Sequence, residues 1–113
     1  MQITERKEGP LLVLALEGRL DHAGAGIFQE CALKHITNGV RSLVVDFGGT
    51  DFVASTGIRA VMLPAQEMSR AGGRFALANL SPQLTRLFEV AGLLQVFKVY
   101  RTVEEAAADG TWN

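Results

Sequence analysis

Cys31 and His35 stand four residues apart, a spacing that puts two good metal ligands on one face of a helix. A closed zinc site needs four ligands. No second pair at matching spacing accompanies them, so core packing is the simpler role and no metal is expected. His35 also falls near the middle of an apolar arc. That setting suits a hydrogen-bonded, partly buried imidazole better than a catalytic base. The other histidine, His22, follows Asp21 in a loop. Gly24-Ala25-Gly26 lacks the final glycine of a dinucleotide fingerprint, and Gly48-Gly49-Thr50 lacks the Gly-Lys-Ser/Thr of a phosphate loop. No Gly-x-Ser-x-Gly elbow occurs, and no carboxylates are spaced for acid–base work. The chain is therefore read as a non-enzyme, with no catalytic residue and no cofactor.

The segment Asp51-Phe52-Val53-Ala54-Ser55-Thr56-Gly57-Ile58-Arg59 has a different character. It joins a buried strand to a helix, and its polar residues fall at the helix start. Backbone amides are unsatisfied there and the helix dipole favours negative charge. Ser55 or Thr56 can serve as N-cap, and the same place tolerates a phosphate on the hydroxyl. Physics alone leaves both roles open.

The surrounding pattern supplies the elements that must hold this loop. Ile3 to Lys7 reads as a short strand and Glu8-Gly9-Pro10 as a turn. Leu11 to Leu16 is apolar on both faces and bounded by Glu17-Gly18, which suits a central strand in a hairpin with the first. Gly24 to Asn38 reads as a helix, with Ile27, Phe28, Cys31, Ala32 and Ile36 on one half of the wheel and Asn38-Gly39 as its stop. Leu43 to Phe47 is a β-branched strand ended by Gly48-Gly49. Thr56 to Arg70 follows as one helix, kinked near Ala60 because Pro64 removes an amide. Arg74 to Asn79 is the next strand. Ser81-Pro82 opens a helix that presents Leu84, Leu87, Phe88 and Ala91 and stops at Gly92. Val96 to Tyr100 is the last strand, and Thr102-Val103-Glu104-Glu105 is a capping box for a final helix. The tail from Gly110, with Trp112, reads as a loose end. Repeated β-α-β units imply parallel strands and right-handed crossovers. If strands add in sequence order, the crossover helices gather on one face and leave the other partly open. The expected fold is a single α/β domain over residues 1–113. It has a mostly parallel four- to five-stranded sheet, an N-terminal hairpin strand, and about four helices mainly on one face.

Bulk properties narrow the function. The chain has 113 residues, 48% of them hydrophobic, and a formal net charge of -1. Its basic residues are dispersed, as Arg19, Lys34, Arg41, Arg59, Arg70 and Arg74 show, so no footprint for nucleic acid or anionic membrane results. Leu11 to Leu16 is far short of the ~20 apolar residues that span a bilayer, so no direct membrane insertion is expected. A single cysteine makes no internal disulfide, and the first residues show no signal-peptide pattern. A cytoplasmic protein is the expectation.

Several blocks resemble the STAS family, and within it the bacterial anti-sigma factor antagonists. Gly18-Arg19-Leu20-Asp21 is similar to the family's Gly-Glu-Leu-Asp at the exit of the second strand. Leu43 to Phe47 followed by Asp51 to Ile58 resembles its central signature, Phe-(Ile/Met/Leu)-Asp-Ser-(Ser/Ala)-Gly-(Leu/Ile). Phe88-Glu89-Val90-Ala91-Gly92-Leu93 resembles its Gly-Leu helix ending, and Val96 to Tyr100 before Thr102 to Ala106 its last strand and helix. The resemblance implies a transcription regulator that binds an anti-sigma factor, often a serine kinase, and so frees a sigma factor. It implies phosphorylation of Ser55, with Thr56 as alternate, that switches binding off, and a phosphatase that restores it. The implied partner surface comprises Asp21, His22, Ala54, Ser55, Thr56, Gly57, Ile58 and Arg59. Asp21 has an equally good reading as a turn or N-cap carboxylate. Ala54 departs from the family's aspartate before the serine, which bears on kinase recognition more than on partner binding. The rival reading is a STAS docking subunit of a signalling or transport assembly that is never phosphorylated. A nucleotide-sensing role has no phosphate-binding motif behind it. The sequence leaves the oligomeric state open.

Overall fold

In the computed structural model, residues 1–109 are described. Five strands and four helices alternate after an initial hairpin: β1 (Gln2–Glu8), β2 (Leu11–Leu20), α1 (His22–Thr37), β3 (Ser42–Val53), α2 (Ser55–Arg70), β4 (Arg74–Ala78), α3 (Pro82–Val90), β5 (Lys98–Tyr100) and α4 (Val103–Ala108). The strands lie side by side in sequence order. β1 pairs antiparallel with β2, and every later pair is parallel. The expected α/β architecture is what forms.

The two faces of the sheet have separate cores. Leu12, Leu14 and Leu16 of β2, Leu43, Val45 and Phe47 of β3, and Leu77 of β4 meet buried residues of α1, α2 and α3 on one side. Phe28, Ala32 and Ile36 are the contribution of α1; Ala60, Val61 and Met68 that of α2; Leu84 and Phe88 that of α3. Phe47 and Phe88 meet edge to face, with ring centroids 5.9 Å apart. Burial of each such ring is worth about 1.5–3 kcal/mol over leaving it exposed. The alternate residues, Leu11, Val13, Val44, Ala76 and Ala78, form a second cluster with Val103 and Ala106 of α4. The second face is therefore not left open where α4 lies. The chain leaves β5 and folds a short helix back over it. This is why β2 reads as apolar at every position.

Strand ends and burial depart from the sequence pattern in several places. β2 runs four residues past Leu16, through shifts in register at Ala15/Glu17 and Gly18/Arg19. Gly18 has φ 102°, a left-handed conformation at an irregularity in the strand, so it marks a bulge and not an end. β3 likewise runs through Gly48-Gly49 to Val53, since a Cβ on Gly49 would stand 2.8 Å from the Leu16 carbonyl oxygen across the ladder. On α1 the buried stripe is Ala25, Phe28, Ala32 and Ile36, while Ile27 is 49% exposed and Cys31 half-buried. Pro64 is buried inside a helix that continues unbroken from Ser55 to Arg70. The final strand is shorter than expected, three residues from Lys98. The tail carrying Trp112 lies outside the described residues.

Candidate functional site

The C-terminal end of β2 organises the site, because both α1 and α2 begin against it. A Cβ on Gly24 would stand 2.5 Å from the carbonyl oxygen of Arg19. A Cβ on Gly57 would overlap the carbonyl oxygen of Leu20 and stand 2.8 Å from its Cγ. Glycine is thus required for steric reasons in the first turn of each helix. The amide of Ala54 donates to the Leu20 carbonyl at 3.0 Å and anchors the turn between β3 and α2. The first turns of α1 and α2 are held side by side as a result.

This arrangement gathers most of the residues singled out in the sequence. His22, Thr56 and Arg59 line one open groove of about 320 Å³, with Ala25, Gly26, Gln29 and Ala60 as its floor and walls. His22 belongs to the helix and not to a loop: it is the first residue of α1. Asp21 is the N-cap, its Oδ1 accepting from the Gly24 amide at 2.9 Å. That hydrogen bond holds the Asp21 carboxyl below the usual carboxylate range. The N-cap role named for Asp21 is therefore occupied.

The capping expected of Ser55 or Thr56 is not observed. β3 extends to Val53 and leaves one linking residue, so the cap position falls on Ala54, with φ -83° and ψ 168°. Alanine has no acceptor, and no side chain caps this helix. Ser55 is instead the first residue of α2, exposed, and its hydroxyl makes no hydrogen bond among the described residues. Gly57 is buried against Leu20 and Ile58 packs half-buried on the core, so these two position the turn from within.

A second groove, about 400 Å³, flanks the same loop on the α3 side. It is lined by Asp51, Phe52 and Val53 from β3 and by residues of α3 including Arg86, Leu87 and Val90. Phe52 is 38% exposed, and the Arg19 guanidinium lies 4.0 Å from its ring centroid. The sequence pattern alone gives neither Phe52 nor Val90 a surface role. The available signal was Val90, an apolar residue off the Leu84–Leu87–Phe88 face, which is 80% exposed.

Cys31 and His35 lie further along α1, outside the groove lining and on the flank that meets β1. His35 Nε2 donates to Glu5 Oε1 at 3.0 Å, and the Cys31 thiol approaches Glu5 Oε2 at 3.5 Å. Burial, with the Glu5 carboxylate beside it, pushes the Cys31 thiol up to about 11. The hydrogen bond from His35 holds the Glu5 carboxyl below its usual range. Glu5, remote in sequence and carried by the edge strand, stands beside Cys31 and His35 as a third potential donor.

Fold and loop together define a small α/β domain with two helix starts side by side at one end of its sheet. The STAS domain profile matches residues 2–106, and the chain belongs to the STAS domain family. It is 32% identical to the putative anti-sigma factor antagonist BtrV of Bordetella bronchiseptica, over 96% of this chain and 93% of that one. It is 30% identical to a putative anti-anti-sigma factor of Mycobacterium tuberculosis, over 85% of this chain and 64% of that one. Among solved structures, a putative anti-sigma factor antagonist from Thermotoga maritima superposes with TM-score 0.87 at 18% identity, covering 92% of this chain and 90% of that one. The phosphorylated form of the Bacillus protein SpoIIAA superposes with TM-score 0.73 at 25% identity, covering 93% and 96%. Among the described residues no helix is long and apolar enough to cross a membrane.

Proposed function

We propose that this chain is an anti-sigma factor antagonist that binds an anti-sigma factor, itself a serine kinase, through the adjoining first turns of α1 and α2. Binding is switched off by phosphate on Ser55. The observation that carries the reading is the position of Ser55, exposed at the start of α2 at the family's signature serine, beside a groove lined by His22, Thr56 and Arg59. Relatives named as anti-sigma factor antagonists over nearly the whole chain support it.

The electrostatics suit a switch. A phosphoryl group adds about -1.5 to -2 charges at neutral pH. At the first position of a helix it faces the positive end of the dipole, so the fold tolerates it. The same charge obstructs a partner that must pack closely on this turn, and a phosphatase that removes it restores binding. Contact residues are Asp21, His22, Ser55, Thr56 and Arg59, with Ala54, Gly57 and Ile58 shaping the turn.

Ala54 favours a second reading, in which the loop docks constitutively and no kinase acts on it. Kinase assays with the cognate anti-sigma factor separate the two. Phosphate on Ser55 of the wild type, absent from Ser55→Ala, supports the switch. Partner binding with no phosphate on Ser55 or Thr56 supports constitutive docking. Binding unchanged when Asp21, Ser55 and Arg59 are all substituted overturns the surface itself.

A further inference from the structure

Glu5, Cys31 and His35 offer a carboxylate oxygen, a sulfur and an imidazole nitrogen that all lie within 4.8 Å of one another. They come from two elements. Cys31 and His35 are one helical turn apart on α1, and Glu5 projects from β1, the edge strand of the sheet. The Glu5 carboxylate already meets both, at 3.0 Å to His35 Nε2 and 3.5 Å to Cys31 Sγ. Ligands about 2.0–2.3 Å from a tetrahedral zinc ion are separated from one another by roughly 3.3–3.7 Å. The three side chains therefore stand at near-ligand spacing without backbone movement. They line an open pocket of about 450 Å³ together with Ile27, Glu30 and Lys34, which leaves room for a fourth ligand from solvent.

We propose that Glu5, Cys31 and His35 form a binding site for a borderline divalent cation of the zinc class, which clamps the edge strand β1 to α1. The donor set selects the metal: a thiolate with an imidazole disfavours magnesium and calcium, which take oxygen ligands, and suits zinc or cobalt. Binding releases the thiol proton of Cys31 to solvent and shifts the Nε2 proton of His35 to Nδ1 through solvent, so that the His35–Glu5 hydrogen bond gives way to two bonds to metal. Water takes the fourth position. Glu30 adds favourable charge at the pocket and Lys34 opposes it. The site is independent of the antagonist reading, because it shares no residue with the groove beside Ser55 and needs no partner.

The test is titration of the reduced, purified chain with Co²⁺ followed by displacement with Zn²⁺. One Co²⁺ per chain is expected, with a thiolate-to-cobalt charge-transfer absorption that zinc removes. Zinc should also raise the melting temperature of the wild type. Cys31→Ser should abolish the absorption. Loss of a group that only hydrogen-bonds to a metal's ligand already costs about 10–100-fold in affinity, so His35→Gln and Glu5→Gln should each weaken binding by about tenfold or more. The proposal is overturned if the wild type shows no charge-transfer absorption. It is equally overturned if His35→Gln and Glu5→Gln bind cobalt as tightly as wild type, which would mean a solitary thiol ligand.

Discussion

The first turns of α1 and α2 share one plan and differ in how the helix is capped. Asp21-His22-Ala23-Gly24 and Ala54-Ser55-Thr56-Gly57 each run from an extended cap residue to a glycine three positions on. The two glycines are seated against successive carbonyls of β2, those of Arg19 and Leu20. In both, the cap carbonyl accepts from the amide four residues on, at 2.7 Å to Ala25 and 3.0 Å to Ile58. The difference is the cap: Asp21 closes the first helix with its side chain, whereas Ala54 leaves the second without one. Seating a helix on this sheet end therefore depends on the glycine, and a side-chain cap can be dispensed with. The Leu20–Ala54 hydrogen bond and the buried face of α2 hold the uncapped turn in place. One start is fixed by its own side chain; the other presents an exposed serine.

The glycines should give the largest effects. Gly57→Val and Gly24→Val each force a Cβ into backbone and should cost about 1–3 kcal/mol, read as a lowered urea midpoint. A large loss at one glycine and none at the other would break the proposed equivalence. The caps come next. Ala54→Asp supplies the missing acceptor and should stabilise the fold by about 0.5–2 kcal/mol, while Asp21→Ala should lower the melting temperature. Equal melting temperatures for wild type and Ala54→Asp would show that the second turn gains nothing from a cap.

The Asp21 carboxyl also makes this contrast dependent on pH. Its folded-state value is depressed, so its contribution is full above the unfolded value near ~3.9 and is lost as pH falls through the folded one. The gap in melting temperature between wild type and Asp21→Ala should be wide at neutral pH and close in acid. The smallest effect belongs to Ser55→Ala. Since Ser55 is not a cap, its removal should change stability by less than about 0.5 kcal/mol.

The chain of elements was readable because the helices carry a stop or cap in sequence, as Ser81-Pro82 and Thr102 show. Both make the expected bonds, to the amides of Leu84 and Glu105. Strand ends were not readable at Gly18 and Gly48-Gly49, because a glycine that breaks a pattern and one that permits a bulge or close approach look alike. The cover provided by α4 was hidden too, since a helix of six residues leaves too short a pattern to say which face it takes. At the site, the sequence marks the loop, but the cap falls on Ala54, one residue before Ser55 and two before Thr56. That detail depends on the Leu20–Ala54 hydrogen bond, a contact between segments far apart in sequence. Glu5 escaped for the same reason, being 26 residues from Cys31.

In the proposed switch, charge on Ser55 controls partner binding without harming the fold. Calorimetric titration of the cognate anti-sigma factor with wild type, Ser55→Ala and Ser55→Asp tests it most directly. Ser55→Ala should bind like the unphosphorylated wild type. Ser55→Asp should remain fully folded, since an acidic residue is favourable in the first turn of a helix, yet bind about tenfold more weakly or worse, a loss of about 1.4 kcal/mol or more. Tight binding by Ser55→Asp, with no phosphate found on Ser55 or Thr56 after incubation with the kinase, would contradict the switch.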